Sequence, residues 1–287
     1  MDGLQRLQHD KPTDLLATEK KASGSSFYAA MRLMAKRERE AMFAIYTFCR
    51  AVDDIADDCK GTQDDRLAAL EEWRHGIGTL YDEHSLPLVN FLREPAAHYG
   101  LRREDFFSVI DGMQMDVVED IRAPSLDALD LYCDRVASAV GRLSVKVFGM
   151  DEEPGLRLAH HLGRALQLTN IIRDVDEDAA SGRLYVPSEF LEQAGIESRV
   201  PAEAIADKRI DGVCRSVAKI ARGHYHEAGR ILDARPTGHL RPPRLMHAVY
   251  SNLLRKMELR GWVAPRELVR MTKAELVLVL LRHGIHR

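Results

Sequence analysis

Apolar residues recur along most of this chain at steps of three and four, the spacing that lays one stripe down an α-helix. Leu67, Leu70, Trp73, Ile77 and Leu80 make one such stripe. The same period predicts helices over about Lys36–Asp58, ending near Gly61, then over Leu86–Tyr99, Glu104–Ile121, Leu126–Phe148, Pro154–Ala180, Pro201–Leu232, Pro242–Trp262 and Lys273–Leu281. Ser25 and Ser26 are placed to cap an earlier helix through Phe27, Met31 and Met34. No sustained alternation of apolar and polar residues predicts a strand. Apart from Pro12 near the start, the prolines, Pro95 included, fall at apparent junctions, where a missing N–H is tolerable. With short connections, no internal repeat and no low-complexity linker, the expected fold is all-α. It is a single helical bundle over residues 23–287, preceded by a flexible tail over 1–22.

Composition narrows the class. A chain of 287 residues with 45% hydrophobic and 30% charged residues suits one large soluble core. Its 41 basic and 44 acidic residues are interspersed, and a net charge of −3 provides no field for nucleic acid. Cys49, Cys59, Cys133 and Cys214 form no CxxC pair and read as reduced thiols of a cytoplasmic protein. Met1–Lys21 has no apolar core that would mark a targeting segment. The run Leu276–Leu281 is far shorter than the ~20 residues that span a bilayer. It reads as core packing, and the following Arg282, His283 and Arg287 add a route to peripheral membrane contact.

Two acidic stretches interrupt this pattern. On a helix, Asp57 lies one turn beyond Asp53, with Arg50 and Tyr46 stacked behind them, while Asp54 and Asp58 form a second pair on the neighbouring stripe. Like charges at this spacing cost about 0.2–0.5 kcal/mol per pair, a repulsion that a multivalent cation reverses. Far downstream, Gln167, Asn170, Asp174 and Asp178 step along one face in the same way, with Arg173 beside them. Two facing carboxylate sets suit Mg²⁺, which usually combines a few carboxylates with substrate phosphates. Arg50 and Arg173 could donate to the same phosphates. After Tyr132, the residues Val136, Ala139, Val140, Leu143 and Val147, with Gly141 adjacent, offer a small, branched apolar face against which a hydrocarbon could lie. The substrate class implied is a prenyl diphosphate, whose carbocation an apolar cavity keeps from water.

The motifs Ser23-Gly-Ser-Ser-Phe27-Tyr28, Arg50-Ala-Val-Asp53-Asp54-Ile-Ala-Asp57, Asn170-Ile-Ile-Arg173-Asp174-Val-Asp-Glu-Asp178 and Gly182-Arg183-Leu-Tyr185-Val-Pro187 resemble, in order, those of the squalene/phytoene synthase family. That resemblance implies an all-α isoprenoid-synthase bundle with a central cavity, and metal ligation by Asp53, Asp57, Asp174 and Asp178. It implies that Tyr46, Arg50, Asn170, Arg173 and Tyr185 surround the diphosphates, with Tyr132 at the cavity and Tyr250 near the site. Ser26 and Phe27 match the family's N-terminal Ser-Phe, Gly24 replaces a serine found in some relatives, and Arg266 corresponds to a C-terminal arginine. The implied reaction is Mg²⁺-dependent head-to-head joining of two farnesyl diphosphates into presqualene diphosphate, for squalene and hopanoid synthesis. A downstream squalene-forming enzyme would take the product. Phytoene or dehydrosqualene synthesis is the alternative within the family.

Rival readings are weaker on the residues. A ferritin-like metal bundle needs two Glu-x-x-His motifs, and only Glu72-Trp-Arg-His75 fits. His160-His161, His224 and His226 lack a Cys or carboxylate set at zinc spacing and read as surface or packing histidines. Arg50 could serve only as a partner of Asp53, and a non-catalytic helical interaction protein would bind no diphosphate at all.

Overall fold

The computed structural model describes residues 31, 34–57, 61–82, 85–118, 121–272, 274–276 and 278–279. The expected tail, the Ser25/Ser26 cap, Ser26, Phe27, Asp58, Cys59 and residues 273, 277, 280 and 281 of the last predicted helix lie outside the described residues.

Helix α1, Lys36–Asp57, buries Met42, Ile45, Phe48 and Val52, one residue per turn, and carries Asp53, Asp54 and Asp57 in its final turns. A capping box between Thr62 and Asp65 starts α2, Gln63–Thr79. A 3₁₀ turn, Pro87–Val89, leads into α3, Asn90–Tyr99. Pro95 lies inside α3 and not at a junction as its sequence suggests. α4, Arg103–Val118, follows. Phe48 joins α1 to α2 and α4 through edge-on contacts with Trp73 and Phe106, at centroid distances of 5.7 and 5.1 Å.

The stretch expected as one helix over Leu126–Phe148 is α5, Leu126–Cys133, then a π turn, Asp134–Ser138, then α6, Ala139–Val147. The π turn takes up an extra residue and rotates everything after it. α7, Glu152–Arg173, runs through the middle of the bundle and breaks at Asp174 before α8, Val175–Ala180. A short helix that periodicity missed, α9, Ser188–Gln193, comes next. The expected Pro201–Leu232 helix is split into α10, Pro201–Ala206, and α11, Ile210–Asp233. At the split the Asp207 carboxylate accepts from the Arg209 backbone N–H at 2.8 Å, a local bond that competes with helix continuation. α12, Arg241–Arg260, begins with Pro242 and Pro243.

α7 is held closely on two sides. A Cβ on Gly163 would lie 2.7 Å from the Ser138 Cα, and one on Gly141 would lie 3.0 Å from the Ala159 Cα, so these helices cross nearly backbone to backbone. Arg164, buried, donates to Asp130 at 2.7 and 2.9 Å and to Asp134 and Ser138 at 3.0 Å, tying α7 to α5 and the π turn. Towards α11, the Thr169 and Tyr225 hydroxyls share a buried hydrogen bond at 2.9 Å. The only backbone pairing of β type among the described residues is an isolated parallel bridge between Arg122 and Leu184. It pins the segment after α8 beside the end of α4, which brings Arg183 and Tyr185 to the carboxylates. Leu276 and Val279 pack with Leu245, Met246 and Val249 of α12, in keeping with the core reading of that run, whereas Leu278 is exposed. No helix among the described residues is long and apolar enough to cross a membrane.

Candidate active site

The C-terminal end of α1 gathers Asp53, Asp54 and Asp57 where the helix dipole is negative, with no basic residue in the last turn. Placing anions there works against the helix. Two arginines offset the cost. Arg50 donates to Asp53 at 2.6 Å and to Asp54 at 2.5 Å, and Arg183 reaches across to donate to Asp57 at 2.7 Å. Burial raises the Asp53 carboxyl above its usual range, and Asp57 and Asp54 push the same way against Arg50 and Arg183. Tyr46 is half-buried one turn before Arg50.

The second acidic stretch straddles the break between α7 and α8. Arg173 grips Asp174 through Nε at 2.7 Å and Nη2 at 2.5 Å. Asp178 is pushed up to about 7 by burial first, with Asp174, Glu177 and Asp116 adding and Arg183 opposing. Asn170 Oδ1 is buried and has no hydrogen-bond partner. An orphaned acceptor beside crowded, desolvated carboxylates is a donor set short of a cation, and it fits a hard divalent ion. Gln167 is half-buried one turn before Asn170. Tyr250 of α12 contacts Arg173.

Arg183 links the two stretches, since its charge acts on Asp53, Asp57, Asp178 and Asp116. Asp116, on α4, was absent from the expected site. It accepts from the hydroxyls of Tyr132 and Tyr185, each at 2.9 Å, and those two rings stack at 5.2 Å. Burial lifts Asp116 to about 6 despite both hydrogen bonds. The signal in the sequence was a single acid on an otherwise apolar stripe with Val109 and Met113.

Two openings adjoin this head. A cleft of about 450 Å³ is polar at Arg173, Asp174 and Glu177 and apolar at Val249, Leu253 and Leu276, with Tyr250 in its wall. Further along the bundle, an apolar cavity of about 110 Å³ lies between α1, α6, α7 and α12, lined by Met42, Val140, Gly141, Ser144, Leu162 and Met246 among others. Met42 precedes Asp53 by eleven residues, about 16 Å along α1. Val140 is where the sequence placed it. Val136 is not, because it packs on Gly112 of α4, and Ala139, Leu143 and Val147 turn into the core. The π turn accounts for this rotation of the lining face.

Arg266 also differs from expectation. Its side chain is 4% exposed, and every guanidinium nitrogen is engaged, by Asp176 at 2.6 to 3.0 Å and by the carbonyls of Ile205 and Trp262. It anchors α8 to the segment after α12. Cys49, Cys133 and Cys214 are free thiols, as expected, each pushed up to about 12 by burial.

Comparison with known proteins agrees with this arrangement. Residues 20–275 match the profile of the squalene/phytoene synthase family. The chain is 55% identical over 273 residues to a presqualene diphosphate synthase of Zymomonas mobilis, covering 95% of this chain and 94% of that one. It is 50% identical over 264 residues to a presqualene diphosphate synthase of Sinorhizobium fredii, covering 92% and 94%. Among solved structures, a ligand-bound dehydrosqualene synthase superposes with a TM-score of 0.78 at 25% identity, covering 94% of this chain and 95% of that one.

Proposed function

This chain belongs to the squalene/phytoene synthase family, and from that premise we infer that it is a prenyltransferase joining two farnesyl diphosphates head to head into presqualene diphosphate. The observation that carries this reading is the pair of acidic stretches bridged by Arg183 at one end of a bundle whose interior is apolar.

Asp53, Asp57, Asp174 and Asp178 would hold Mg²⁺, which, when bound, neutralises diphosphate and so makes it a better leaving group. Arg50, Arg173 and Arg183 are placed to donate to diphosphate oxygens once their carboxylate partners are taken up. Gln167 and Asn170 add amide groups on the same face of α7. One substrate ionises, its C1 alkylates the C2–C3 double bond of the other, and loss of a proton closes the cyclopropane. The second diphosphate stays on the product, so no reductant is consumed. Tyr132 and Tyr185 direct their protons at Asp116, which leaves phenol lone pairs free to face a passing cation. The apolar lining around Val140 keeps water from that cation. Peripheral membrane contact and hand-over to a squalene-forming enzyme suit a greasy product.

Incubating the full chain with farnesyl diphosphate and Mg²⁺, with and without NADPH, tests the reading. A thirty-carbon cyclopropyl diphosphate formed without NADPH is the expected product. A hydrocarbon, or preferential use of geranylgeranyl diphosphate, would redirect the assignment towards dehydrosqualene or phytoene synthesis. Asp53→Asn and Asp174→Asn should each abolish turnover with helical content unchanged, since charge is lost and shape is kept.

A further inference from the structure

On the flank of the bundle, where α7 crosses α11, three histidines converge. His160 and His161 follow one another on α7, and His224 faces them from α11. His161 Nδ1 and His224 Nδ1 are 3.0 Å apart, and one ring nitrogen from each of the three residues lies within 4.8 Å of the others. Ring centroids are 4.8 Å apart for His160 and His161, 5.2 Å for His161 and His224, and 5.8 Å for His160 and His224. His226, two residues beyond His224, is exposed and stands outside the group.

That spacing is close to what an imidazole-bound metal needs. Metal–nitrogen bonds of about 2.0–2.1 Å in a tetrahedron put ligand nitrogens about 3.3 Å apart. The His161–His224 pair already has nearly that edge, and His160, exposed and able to turn, has on the order of 1 Å to close.

The surrounding charges accommodate a dication. Arg164 of α7 lies near, but Asp130 of α5 and Asp134 of the π turn both bind it, leaving that side net negative. Arg157 of α7 is paired with Glu153, and Glu227 of α11 faces His161 while pairing with Arg230. Burial holds all three rings below the usual imidazole range, with mutual repulsion adding to it for His160 and His224, so their lone pairs are available at neutral pH.

We propose that His160, His161 and His224 form a site for one divalent transition-metal ion of the zinc, nickel and copper class, bracing α7 against α11, with its fourth position open to water. Imidazole nitrogen selects these ions over Mg²⁺, which prefers oxygen. His161 precedes Asp174 by thirteen residues, about 20 Å along α7, so the site is separate from the carboxylate head and does not depend on the catalytic reading.

The test uses the untagged full chain, stripped with chelator and returned to excess Mg²⁺ so that oxygen-rich sites are filled. Calorimetric titration with ZnCl₂ should give one Zn²⁺ per chain. Affinity should fall about tenfold or more in His160→Gln and in His224→Ala, and be unchanged in Asp53→Asn. Cu²⁺ in place of Zn²⁺ should show coupling to several imidazole nitrogens by electron paramagnetic resonance, reduced in both histidine variants. A hundredfold excess of Zn²⁺ over its dissociation constant should raise the melting temperature of the parent chain by about 5 °C. His160 is exposed, so His160→Gln keeps the fold even where His224→Ala does not. No zinc uptake by the parent chain would overturn the proposal, as would full-affinity uptake persisting in His160→Gln.

Discussion

Burial raises Asp178 to about 7 and Asp116 to about 6, so folding strips each carboxylate of the water that would stabilise its charge. For an acid raised in this way, the folded state binds the proton more tightly than the unfolded chain. The penalty is therefore nil where both states are protonated, grows as pH rises from about 4 towards 7, and stays constant above. In chelator, Asp178→Asn should melt several degrees above the parent chain near pH 8, and the difference should vanish towards pH 4. Thermal melts across that range check it. In the proposed reaction Asp116 acts through the two tyrosines that it orients. Asp116→Asn replaces one acceptor oxygen by a donor, so one phenol loses its orientation, and kcat should fall about a hundredfold with KM little changed. The two acidic stretches were legible because their spacing repeats, and only the family resemblance singled out Asp53 and Asp57 from Asp54 and Asp58. Asp116 was not, since one acid on an apolar stripe has no second member to give it meaning. The partners of Arg266 were hidden for a related reason: a sequence names a guanidinium but not the carboxylate and carbonyls around it.

Helix extents were legible from periodicity, and helix interiors were not. Nothing in Leu126–Phe148 announces a π turn, which arises where Ser138 must fit beneath Gly163, so the residues assigned to the cavity were read about one position out of phase. The break at Asp207 is equally local, where the carboxylate accepts from the backbone N–H of Arg209, while at Asp174 the carboxylate is held by the side chain of its neighbour Arg173. Gly163→Ala tests the crossing. Its methyl would meet Ser138 backbone at 2.7 Å, with no flexible side chain to yield, so the substitution should destabilise by about 1–3 kcal/mol. Urea unfolding would read this as a lower midpoint at unchanged slope. A Gly163→Ala chain as stable as its parent would show that α7 and the π turn are less tightly apposed.

Across the whole molecule, one residue connects the two halves of the acidic head. Arg183 bonds Asp57 and offsets Asp53, Asp116 and Asp178, so the protein contains a cation of its own among its acids. Arg183→Met should lower the melting temperature in chelator, where Asp57 loses its guanidinium partner and Asp116 and Asp178 lose a neighbouring positive charge, and raise the affinity for Mg²⁺ alone, where a competitor has gone. Melting curves and Mg²⁺ titration measure the two effects, and they should move in opposite senses. The head then works as an ion exchanger in miniature. Each divalent ion that enters must dislodge a resident guanidinium, and a dislodged guanidinium needs a fresh anion. In the proposed reaction diphosphate is that anion, so metal and substrate should load as a couple, and half-saturation by either should drop sharply as the other is supplied.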